Sequence, residues 1–421
     1  MLDIKFIREN SEAVRAAGRN KRINFDLDRL LDLDKQIRPR QVELETLQSD
    51  RNRISKDIGK AAPDARESMK SQVQDIKQKM EGLEAELKDL KVTFDELMFL
   101  VPNPPRADVP VGKDDSENVE VRKVGTPRQF TGKPLDHVEI GKRLGILDLD
   151  RGVKIAGSRS YVLKGDGAML EQAIMRYTLE KLVRKGYTAM SIPVLVKEDA
   201  MVGTGYFPTG REQAYLCERD NMALVGTAEV SLTSYYSDEI LDEKDLPIRL
   251  VAQSNCFRRE AGTYGKDTHG LYRVHQFQKI EQVIVAPADP ATSEKLHDEL
   301  LGNAEEVLKD LGLAYRVVYV CTGDLGQGQL RKHDIETWMP SRGSYSETHS
   351  CSTFHDFQAR RLKLRYRDAA GKVHTCFTLN NTAIASPRVL IPMLETHQTD
   401  DGRVAIPECL QALMGGKTHI G

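Results

Sequence analysis

Cysteine is scarce in this chain, and its spacing fits neither of the common uses of paired cysteines. Six cysteines occur among 421 residues, and none forms a Cys-x-x-Cys pair: Cys217, Cys256, Cys321, Cys351, Cys376 and Cys409. Wide and irregular gaps of this kind argue against a structural zinc site and against a disulfide scaffold. We therefore expect a protein of a reducing compartment.

Long apolar runs are also missing, and so is a strong excess of either charge. No stretch reaches the roughly 18 apolar residues of a membrane span. The charged N-terminus MLDIKFIREN lacks the apolar region of a signal peptide. A hydrophobic content of 40%, a charged content of 29% and a net charge of −2 are typical of globular chains, which then bind nucleic acid only through local basic patches. We expect a cytoplasmic protein with no membrane partner.

The first hundred residues carry a heptad pattern. Apolar residues recur every seven positions in two interleaved sets over residues 30–61, and in alternating steps of four and three over residues 69–97. Gly59 and Pro63 interrupt the pattern between these two stretches. Two such seams joined by a short break predict an antiparallel coiled-coil hairpin, which forms a helical arm over residues 1–103.

The arm has several possible uses. A coiled coil of this kind serves commonly as a dimerisation element or a rigid spacer. Basic residues concentrate near the expected tip of the first helix, at Arg51, Arg53, Lys56 and Lys60. They indicate either phosphate contacts or an ordinary solvated face.

A proline-rich linker at 101–105 ends the arm, and a second domain fills residues 104–421. We predict an edge strand at 117–124 and a helix at Met169–Lys185. Further strands are predicted at Thr188–Val196, Leu250–Arg258, Gln276–Val285, Tyr315–Cys321, Leu362–Arg367 and His374–Leu379. Because regular crossover helices do not separate these strands, the pattern favours an α+β domain with a mainly antiparallel sheet flanked by helices.

One predicted hairpin, CFRREAGTYGKDTHGLYRVHQFQKIE, carries charges at every second position. Arg258 and Glu260 precede the turn, and Arg273, His275, Phe277, Lys279 and Glu281 follow it. Residues two apart on a strand point to one face. That face is either a surface ladder of paired charges or an anion site that combines arginines, an aromatic ring and carboxylates.

Three other clusters suggest a polar site. Thr227 and Glu229 follow Gly226, an arrangement that also fits a helix N-cap. Glu347 and Ser350 are three residues apart and offer oxygens suited to Mg²⁺. A polar run, Thr378–Arg388, leads from a strand end into a predicted helix. An arginine in the first turn of that helix would oppose the helix dipole, so we expect Arg388 to face a ligand or an acidic partner.

These clusters, taken in order, resemble the seryl-tRNA synthetases of the bacterial type, which belong to class II. The resemblance covers nearly the whole chain. It rests on the N-terminal MLDIKFIREN, the arm, GTAE at 226–229, FRREAG at 257–262, DIETWMP at 334–340, DFQARR at 356–361 and LNNT at 379–382. Met169–Pro193 resembles motif 1, the hairpin motif 2 and Asn380–Glu395 motif 3. The resemblance implies a class II catalytic domain behind a tRNA-binding arm.

The resemblance also implies an ATP site and a Mg²⁺ site. Arg258 and Arg388 would be the catalytic residues, with Arg258 on the α-phosphate. Phe277 would stack on adenine, and Glu347 and Ser350 would hold Mg²⁺. The ATP-binding set would be Arg258, Arg259, Glu260, Arg273, Val274, Phe277, Glu347, Thr348, His349, Ser350 and Arg388. Many relatives have Ser-Ser where this chain has His349-Ser350.

For L-serine, the resemblance implies a pocket in which Glu281 reads the hydroxyl, with steric exclusion of threonine. The serine-binding set would be Thr227, Ala228, Glu229, Arg258, Glu281, Asn380 and Thr382. Thr382 stands where many relatives have serine. The hairpin loop, Ala261 to Tyr272, would close over the nucleotide and meet the acceptor end of the tRNA.

The implied reaction is ATP-dependent formation of seryl-adenylate and transfer of the seryl group to tRNA(Ser), with tRNA(Sec) as a further candidate. The implied assembly is a homodimer whose arm grips the tRNA on the other subunit. Two alternatives stay open. One is a paralogue that loads an amino acid onto a carrier protein, and the other is a non-catalytic tRNA-binding protein.

Overall fold

The computed structural model describes residues 1–262 and 269–421. Residue contacts divide it into two compact units, one containing Leu2–Pro102 and the other Asn103–Gly421. The expected closure of the loop from Ala261 to Tyr272 concerns mainly residues 263–268, which lie outside the described residues. No helix in the described ranges is long and apolar enough to cross a membrane.

The first unit is helical. Its helices are α1 (Ile4–Glu9), α2 (Ser11–Asn20), α3 (Leu27–Ile58) and α4 (Pro63–Leu100). The Asp26 side chain accepts from the Arg29 backbone N–H at the start of α3, and Pro63 occupies the first turn of α4, where its missing N–H costs no hydrogen bond. The predicted helical hairpin is therefore confirmed.

The predicted heptad seam is the contact between α3 and α4. Leu44, Met80 and Leu87 are buried together, with Ile37 and Leu83 packed beside them. Polar contacts flank this seam: Arg40 Nε lies 2.9 Å from Glu86, and Lys91 Nζ lies 2.9 Å from Gln41. The seam is closed within this hairpin, because each helix buries its apolar stripe against the other.

The second unit is α+β, as predicted. Its helices are α5 (His137–Arg143), α6 (Leu149–Ala156), α7 (Asp166–Arg184), α8 (Glu198–Thr204), α9 (Glu229–Ser234), α10 (Pro290–Asp310), α11 (Phe357–Leu362), α12 (Leu390–His397) and α13 (Glu408–Gln411). Its strands are β1 (Val119–Val124), β2 (Leu147–Asp148), β3 (Val162–Leu163), β4 (Thr188–Met190), β5 (Leu195–Lys197), β6 (Tyr215–Cys217), β7 (Met222–Leu224), β8 (Ile240–Asp242), β9 (Ile248–Phe257), β10 (Gln276–Ala286), β11 (Tyr315–Tyr319), β12 (Arg331–Met339), β13 (Ser344–His355), β14 (Arg365–Arg367), β15 (Val373–Thr375), β16 (Phe377–Ser386), β17 (Val404–Ala405) and β18 (His419–Ile420).

A central sheet organises this unit. Within the described residues it has eight strands in the order β1-β11-β12-β13-β16-β10-β9-β4, and every pair is antiparallel except β4 with β9. Ile174 of α7, Leu300 of α10 and Ile284 of β10 share one core. Gln282 also donates to the Leu300 carbonyl at 3.1 Å. Even-numbered residues of β10 thus face the helices, so the odd-numbered ones face the opposite side of the sheet.

Several predicted strands differ in detail. Thr188–Val196 is divided between β4 and β5, which lie in different sheets, because Pro193 lacks the N–H that a continuous ladder requires. His374–Leu379 is likewise divided between β15 and β16. In Leu362–Arg367 the first residue ends α11, and Lys363 follows with a left-handed backbone, φ 53°.

Two long strands, β12 and β13, were not predicted, and the polar run at 378–386 forms most of β16 rather than leading out of a strand. Its residues are nearly all buried, so sequence polarity was misleading here. Arg388 was placed wrongly in the first turn of a helix, because α12 begins only at Leu390. The arginine lies in the turn that joins β16 to α12.

Candidate functional site

A cavity opens on the sheet face that the odd-numbered residues of β10 occupy. It is lined by residues from the β9–β10 hairpin, from β13, and from the end of β16. These are Arg258, Glu260, Tyr272, Arg273, Val274, Phe277, Lys279, Glu347, Thr348, His349, Ser350, Thr382, Ala385, Ser386, Pro387 and Arg388. The structure therefore brings most of the predicted ATP-binding residues to one place.

A second cavity adjoins the first. Among its lining residues are Glu229, Glu281 and Asn380 from the predicted serine set. Segments 204–206 and 326–329 complete its wall, and sequence reasoning did not single out either of them. Arg258, Lys279 and Ser350 line both cavities and so mark the boundary between them.

Arg258 lies at this boundary, just beyond the end of β9. Its backbone N–H donates to the His275 carbonyl at 2.9 Å, and the His275 ring contacts the Arg258 carbonyl at 2.9 Å. Its guanidinium carbon lies 5.3 Å from the centre of the Phe277 ring. Within residues 1–262 and 269–421, the Arg258 guanidinium makes no ion pair. This cation is held in place by backbone and ring contacts and is available to an anion.

The other two arginines of the cavity contact acidic or aromatic groups. Arg273 Nη1 lies 3.2 Å from Glu260 Oε2, so these side chains orient each other. Arg388 lies over the Tyr272 ring at 4.5 Å and donates to the Glu347 carbonyl at 3.1 Å. Three arginines thus converge on one cavity, an arrangement that suits a polyphosphate.

Glu347 and Ser350 reach the same cavity because of a β-bulge. Along β13, Glu347 pairs with Glu336 and His349 pairs with Ile335, so Thr348 is an extra residue in the ladder. Regular alternation would place residues three apart on opposite faces, and the bulge brings them to one. Thr348 itself directs its hydroxyl to Thr337 at 2.6 Å.

The pair of oxygens fits a Mg²⁺ ion. Partial burial raises the pKa of Glu347, but the charges of Arg388, Lys332, Arg258 and Arg273 lower it by more, so the carboxylate stays ionised. One carboxylate and one hydroxyl, completed by water and substrate phosphates, is a typical Mg²⁺ environment. Burial lowers the pKa of the neighbouring His349 to about 3, so its imidazole is neutral.

Lys279 is the centre of a buried polar cluster between the cavities. Its Nζ lies 2.6 Å from Glu281 Oε2 and 2.7 Å from Thr227 Oγ1. Thr382 donates to the same Glu281 oxygen at 3.2 Å. Thr227 also accepts from the Glu229 N–H at 3.2 Å, but the N-cap of α9 is Ala228, so the N-cap interpretation of Thr227 was wrong.

Glu229 is fixed on both of its oxygens. Tyr206 donates to Oε2 at 2.7 Å, and Gln358 donates to Oε1 at 2.7 Å. Thr378 in turn donates to the Gln358 carbonyl oxygen at 2.6 Å, which sets the orientation of that amide. Burial, with the charge of Glu281, raises the pKa of Glu229 to about 7. An ammonium group in this cavity would therefore favour the ionised form.

This raised pKa predicts a pH-dependent stability. The pKa of Glu229 is about 7 in the folded chain and about 4.5 without its surroundings, so the folded chain binds more protons between these values. Its contribution is favourable at low pH and is lost as the pH rises through about 7. Relative to Glu229→Gln, we expect the wild-type free energy of unfolding in urea to fall by up to about 3 kcal/mol from pH 4.5 to pH 8. Parallel profiles for the two proteins would contradict the assignment.

Three predicted site residues line neither cavity: Thr227, Ala228 and Arg259. Thr227 lies behind the second cavity, in contact with Lys279. Arg259 is exposed and donates its backbone N–H to the Gln213 carbonyl at 2.9 Å. Ala228 is buried in an apolar cluster with Leu232. Conversely, sequence reasoning assigned no role to Lys279, Tyr206 or Gln358. The available signals were the alternation of the hairpin, which includes Lys279, and the fragment DFQARR, which contains Gln358.

Comparisons with known proteins agree with this geometry. The model of the tRNA synthetase class II core domain (G, H, P, S and T) matches residues 215–397, and the model of the seryl-tRNA synthetase N-terminal domain matches residues 1–105. The serine–tRNA ligase of Deinococcus radiodurans is 45% identical over 100% of this chain and 99% of its own length. That of Rubrobacter xylanophilus is 41% identical over 99% and 98%.

Solved structures give the same result. The seryl-tRNA synthetase of Pyrococcus horikoshii complexed with ATP has a TM-score of 0.91 and 36% identity, over 100% of this chain and 99% of that one. The cytoplasmic serine–tRNA ligase of Naegleria fowleri in complex with AMP has a TM-score of 0.87 and 32% identity, over 100% and 98%. Both units of the fold and the full length of the chain are matched, and the chain belongs to the seryl-tRNA synthetase family of class II.

Proposed function

We propose that this chain activates L-serine with ATP and transfers the seryl group to tRNA(Ser). The observation that carries the proposal is the position of Arg258, whose guanidinium borders both the arginine-rich cavity and the cavity that contains Glu229 and Glu281. A group there can contact the α-phosphate of ATP and the carboxylate of an amino acid together. Joining these two groups is the first step of the reaction.

In that step a serine carboxylate oxygen attacks the α-phosphorus of ATP. The new bond gives seryl-adenylate, and the bond to the β-phosphate oxygen breaks to release pyrophosphate. Arg258 would stabilise the charge that develops on the α-phosphate. The protein needs no nucleophile of its own, because positioning and cations suffice. A hydroxyl of the terminal tRNA adenosine then attacks the seryl carbonyl, and AMP leaves.

The remaining residues of the first cavity would hold ATP. Phe277 would stack on adenine while Glu260 accepts from its amine, and Arg273 and Arg388 would contact the β- and γ-phosphates. Glu347 and Ser350 would hold Mg²⁺, which neutralises phosphate charge when bound. Arg273 and Glu260 form an ion pair. The side chain proposed to bind phosphate and the one proposed to bind adenine would therefore hold each other in position.

The second cavity would hold serine. Glu229, with Thr227, would take the amino group, and Glu281, with Thr382 and Asn380, would take the hydroxyl. Lys279 would hold Glu281 in a fixed orientation, since its Nζ lies 2.6 Å from that carboxylate. A pocket built to hydrogen-bond a hydroxyl rejects alanine, because its buried polar groups would be left unpaired.

Glu281→Ala should therefore raise the KM for serine roughly 100-fold, because it removes a buried carboxylate and leaves Lys279 without its ionic partner. The preference for serine over alanine should fall with it, while the KM for ATP stays within about twofold. Serine-dependent ATP–pyrophosphate exchange measures all three quantities. Glu408→Ala, on the exposed surface of α13, is the matched control. If the KM values for ATP and for serine rose equally, Glu281 would stabilise the fold rather than bind serine.

The arm, residues 1–103, would bind tRNA, and residues 104–421 would form the catalytic domain. Recognition of tRNA by such an arm depends on shape and phosphate contacts rather than on base reading. We infer a cytoplasmic homodimer in which the arm serves the tRNA bound to the other subunit, and tRNA(Sec) as a second substrate in a cell that has one. Alkaline gel assays of both tRNAs test the substrate range.

The proposal is tested as a whole by two measurements. Serine-dependent ATP–pyrophosphate exchange should be present, and seryl transfer to tRNA(Ser) should follow. Exchange without transfer to tRNA would favour the carrier-protein alternative. The absence of both activities in folded protein would contradict the enzyme function.

A further inference from the structure

A buried histidine outside the ligand cavities connects three segments around the first cavity. His137 is the first residue of α5 and is 5% exposed. Its Nδ1 lies 2.8 Å from Glu395 Oε1 in α12, and its backbone N–H donates to the same oxygen at 3.1 Å. On the other side of the ring, the Leu271 N–H donates to His137 Nε2 at 3.2 Å. Leu271 belongs to the returning end of the β9–β10 hairpin.

Glu395 makes this connection rigid. It is 0% exposed, and four N–H or O–H groups point at its two oxygens. Besides the two from His137, these are the Ser341 backbone N–H at 2.9 Å and the Ser341 hydroxyl at 2.8 Å. A buried carboxylate with this many partners holds them in one arrangement. The turn between β12 and β13, helix α12 and α5 are thereby fixed together.

The hydrogen bonds define the state of the ring. Because the Leu271 N–H is a donor, His137 Nε2 must be unprotonated and accept. Glu395 accepts only, so Nδ1 carries the proton. Among the described residues, the titratable groups close to the ring are Glu395 from α12, Asp136 from the start of α5, and His269, whose Nε2 lies 3.0 Å from Asp136 Oδ2.

Gly270 allows the hairpin to approach the ring this closely. A Cβ atom there would lie 2.0 Å from His137 Nε2, and the backbone φ is +69°. Leu271 follows, fully buried. The next three residues, Tyr272, Arg273 and Val274, all line the first cavity. The position of these three therefore depends on where His137 holds Leu271.

We propose that His137 is a positioning residue for the ATP cavity, acting through its hydrogen bond to the Leu271 backbone. The proposal rests on the proposed function, since the cavity it serves is the one assigned there to ATP. His137 does not line that cavity. It fixes the backbone segment that carries Arg273 and Tyr272, and Arg388 lies over the Tyr272 ring. Tyr272, Arg273 and Val274 do not line the second cavity, so serine binding should not change.

The test compares two substitutions of one ring. Asn at position 137 can still donate to Glu395 from its amide but has no acceptor near Leu271, whereas Gln reaches further and offers an oxygen there. His137→Asn should lower kcat/KM for ATP roughly five- to tenfold in serine-dependent exchange, the effect of one hydrogen bond. The KM for serine should stay within about twofold. His137→Gln should recover most of the loss.

Controls separate positioning from folding. His397→Asn removes a partly buried histidine, one that contacts the Leu311 carbonyl at 2.8 Å, and should affect melting temperature but not the ATP parameters. Gly270→Ala keeps His137 but displaces the hairpin, and should reproduce the selective loss for ATP. Amide hydrogen exchange at Leu271 should quicken in His137→Asn and stay slow in His397→Asn.

Some results would overturn the proposal. Wild-type ATP parameters in His137→Asn, an equal loss for ATP and serine, or the same loss in His397→Asn would each exclude a positioning role. A wild-type protein without serine-dependent exchange would instead overturn the proposed function. The Leu271 amide exchange would still report whether His137 holds the hairpin.

Discussion

Replacing Arg258 with alanine is expected to lower kcat/KM for serine-dependent ATP–pyrophosphate exchange about 1,000-fold. Its guanidinium borders both cavities and makes no ion pair within residues 1–262 and 269–421, so its charge is available to the reacting groups. Removal of one preorganised group that stabilises developing charge costs about this much. The loss should appear in kcat as well as in KM, because the interaction strengthens in the transition state.

Two further variants make this prediction specific. Arg258→Lys keeps the charge but not the planar fork, and should recover only part of the rate. Arg176→Ala removes a mostly exposed arginine of α7 that pairs with Glu180, and should leave exchange unchanged. If Arg258→Ala keeps more than about a tenth of the wild-type activity, charge stabilisation must come from elsewhere in the cavity.

Deletion of residues 35–95, with the ends joined by a short glycine-rich linker, should abolish seryl transfer to tRNA and leave exchange within about threefold of wild type. The apolar seam of the arm is closed between α3 and α4, through Leu44, Met80 and Leu87. The deletion removes the paired parts of both helices together, so neither half of this seam is left without its partner. Exchange needs only ATP and serine, whose proposed sites lie in the other unit.

A substitution variant serves as a control in case the deletion variant misfolds. Changing Arg51, Arg53, Lys56 and Lys60 to alanine keeps the seam and removes four positive charges. It should weaken tRNA binding and reduce the salt dependence of that binding, with exchange unchanged. If the deletion reduced exchange and transfer equally while its melting profile stayed cooperative, the proposed division of labour between the units would be wrong.

Local patterns in the sequence were sufficient wherever neighbours along the chain decide the structure. The step of four and three from Met69 to Leu97 predicts α4 and its buried stripe, because a helix repeats its faces at that spacing. The alternation of Phe277, Lys279 and Glu281 predicts one shared sheet face, because β10 pairs with β9 without a register shift. The class II fold followed from these patterns together with the resemblance.

The polar strands were not predicted because their polar residues line the ligand site rather than a loop. Strand β16 buries Asn380, Thr382 and Ser386, and sequence alone reads such a run as a loop. A strand that lines a ligand cavity carries polar residues where a core strand carries apolar ones, so hydrophobic patterning gives no signal.

The sequence by itself determined the helical arm and the charged face of one hairpin, since each depends on a short-range period. It also indicated the antiparallel character of the sheet, since regular crossover helices do not separate the predicted strands. Only the tertiary structure decided which distant residues meet. The bulge at Thr348 turns Glu347 and Ser350 to one side, Gln358 and Tyr206 close on Glu229, and His137 reaches Leu271 and Glu395. These contacts depend on strand register and on packing between elements far apart in the chain, and no local period encodes either.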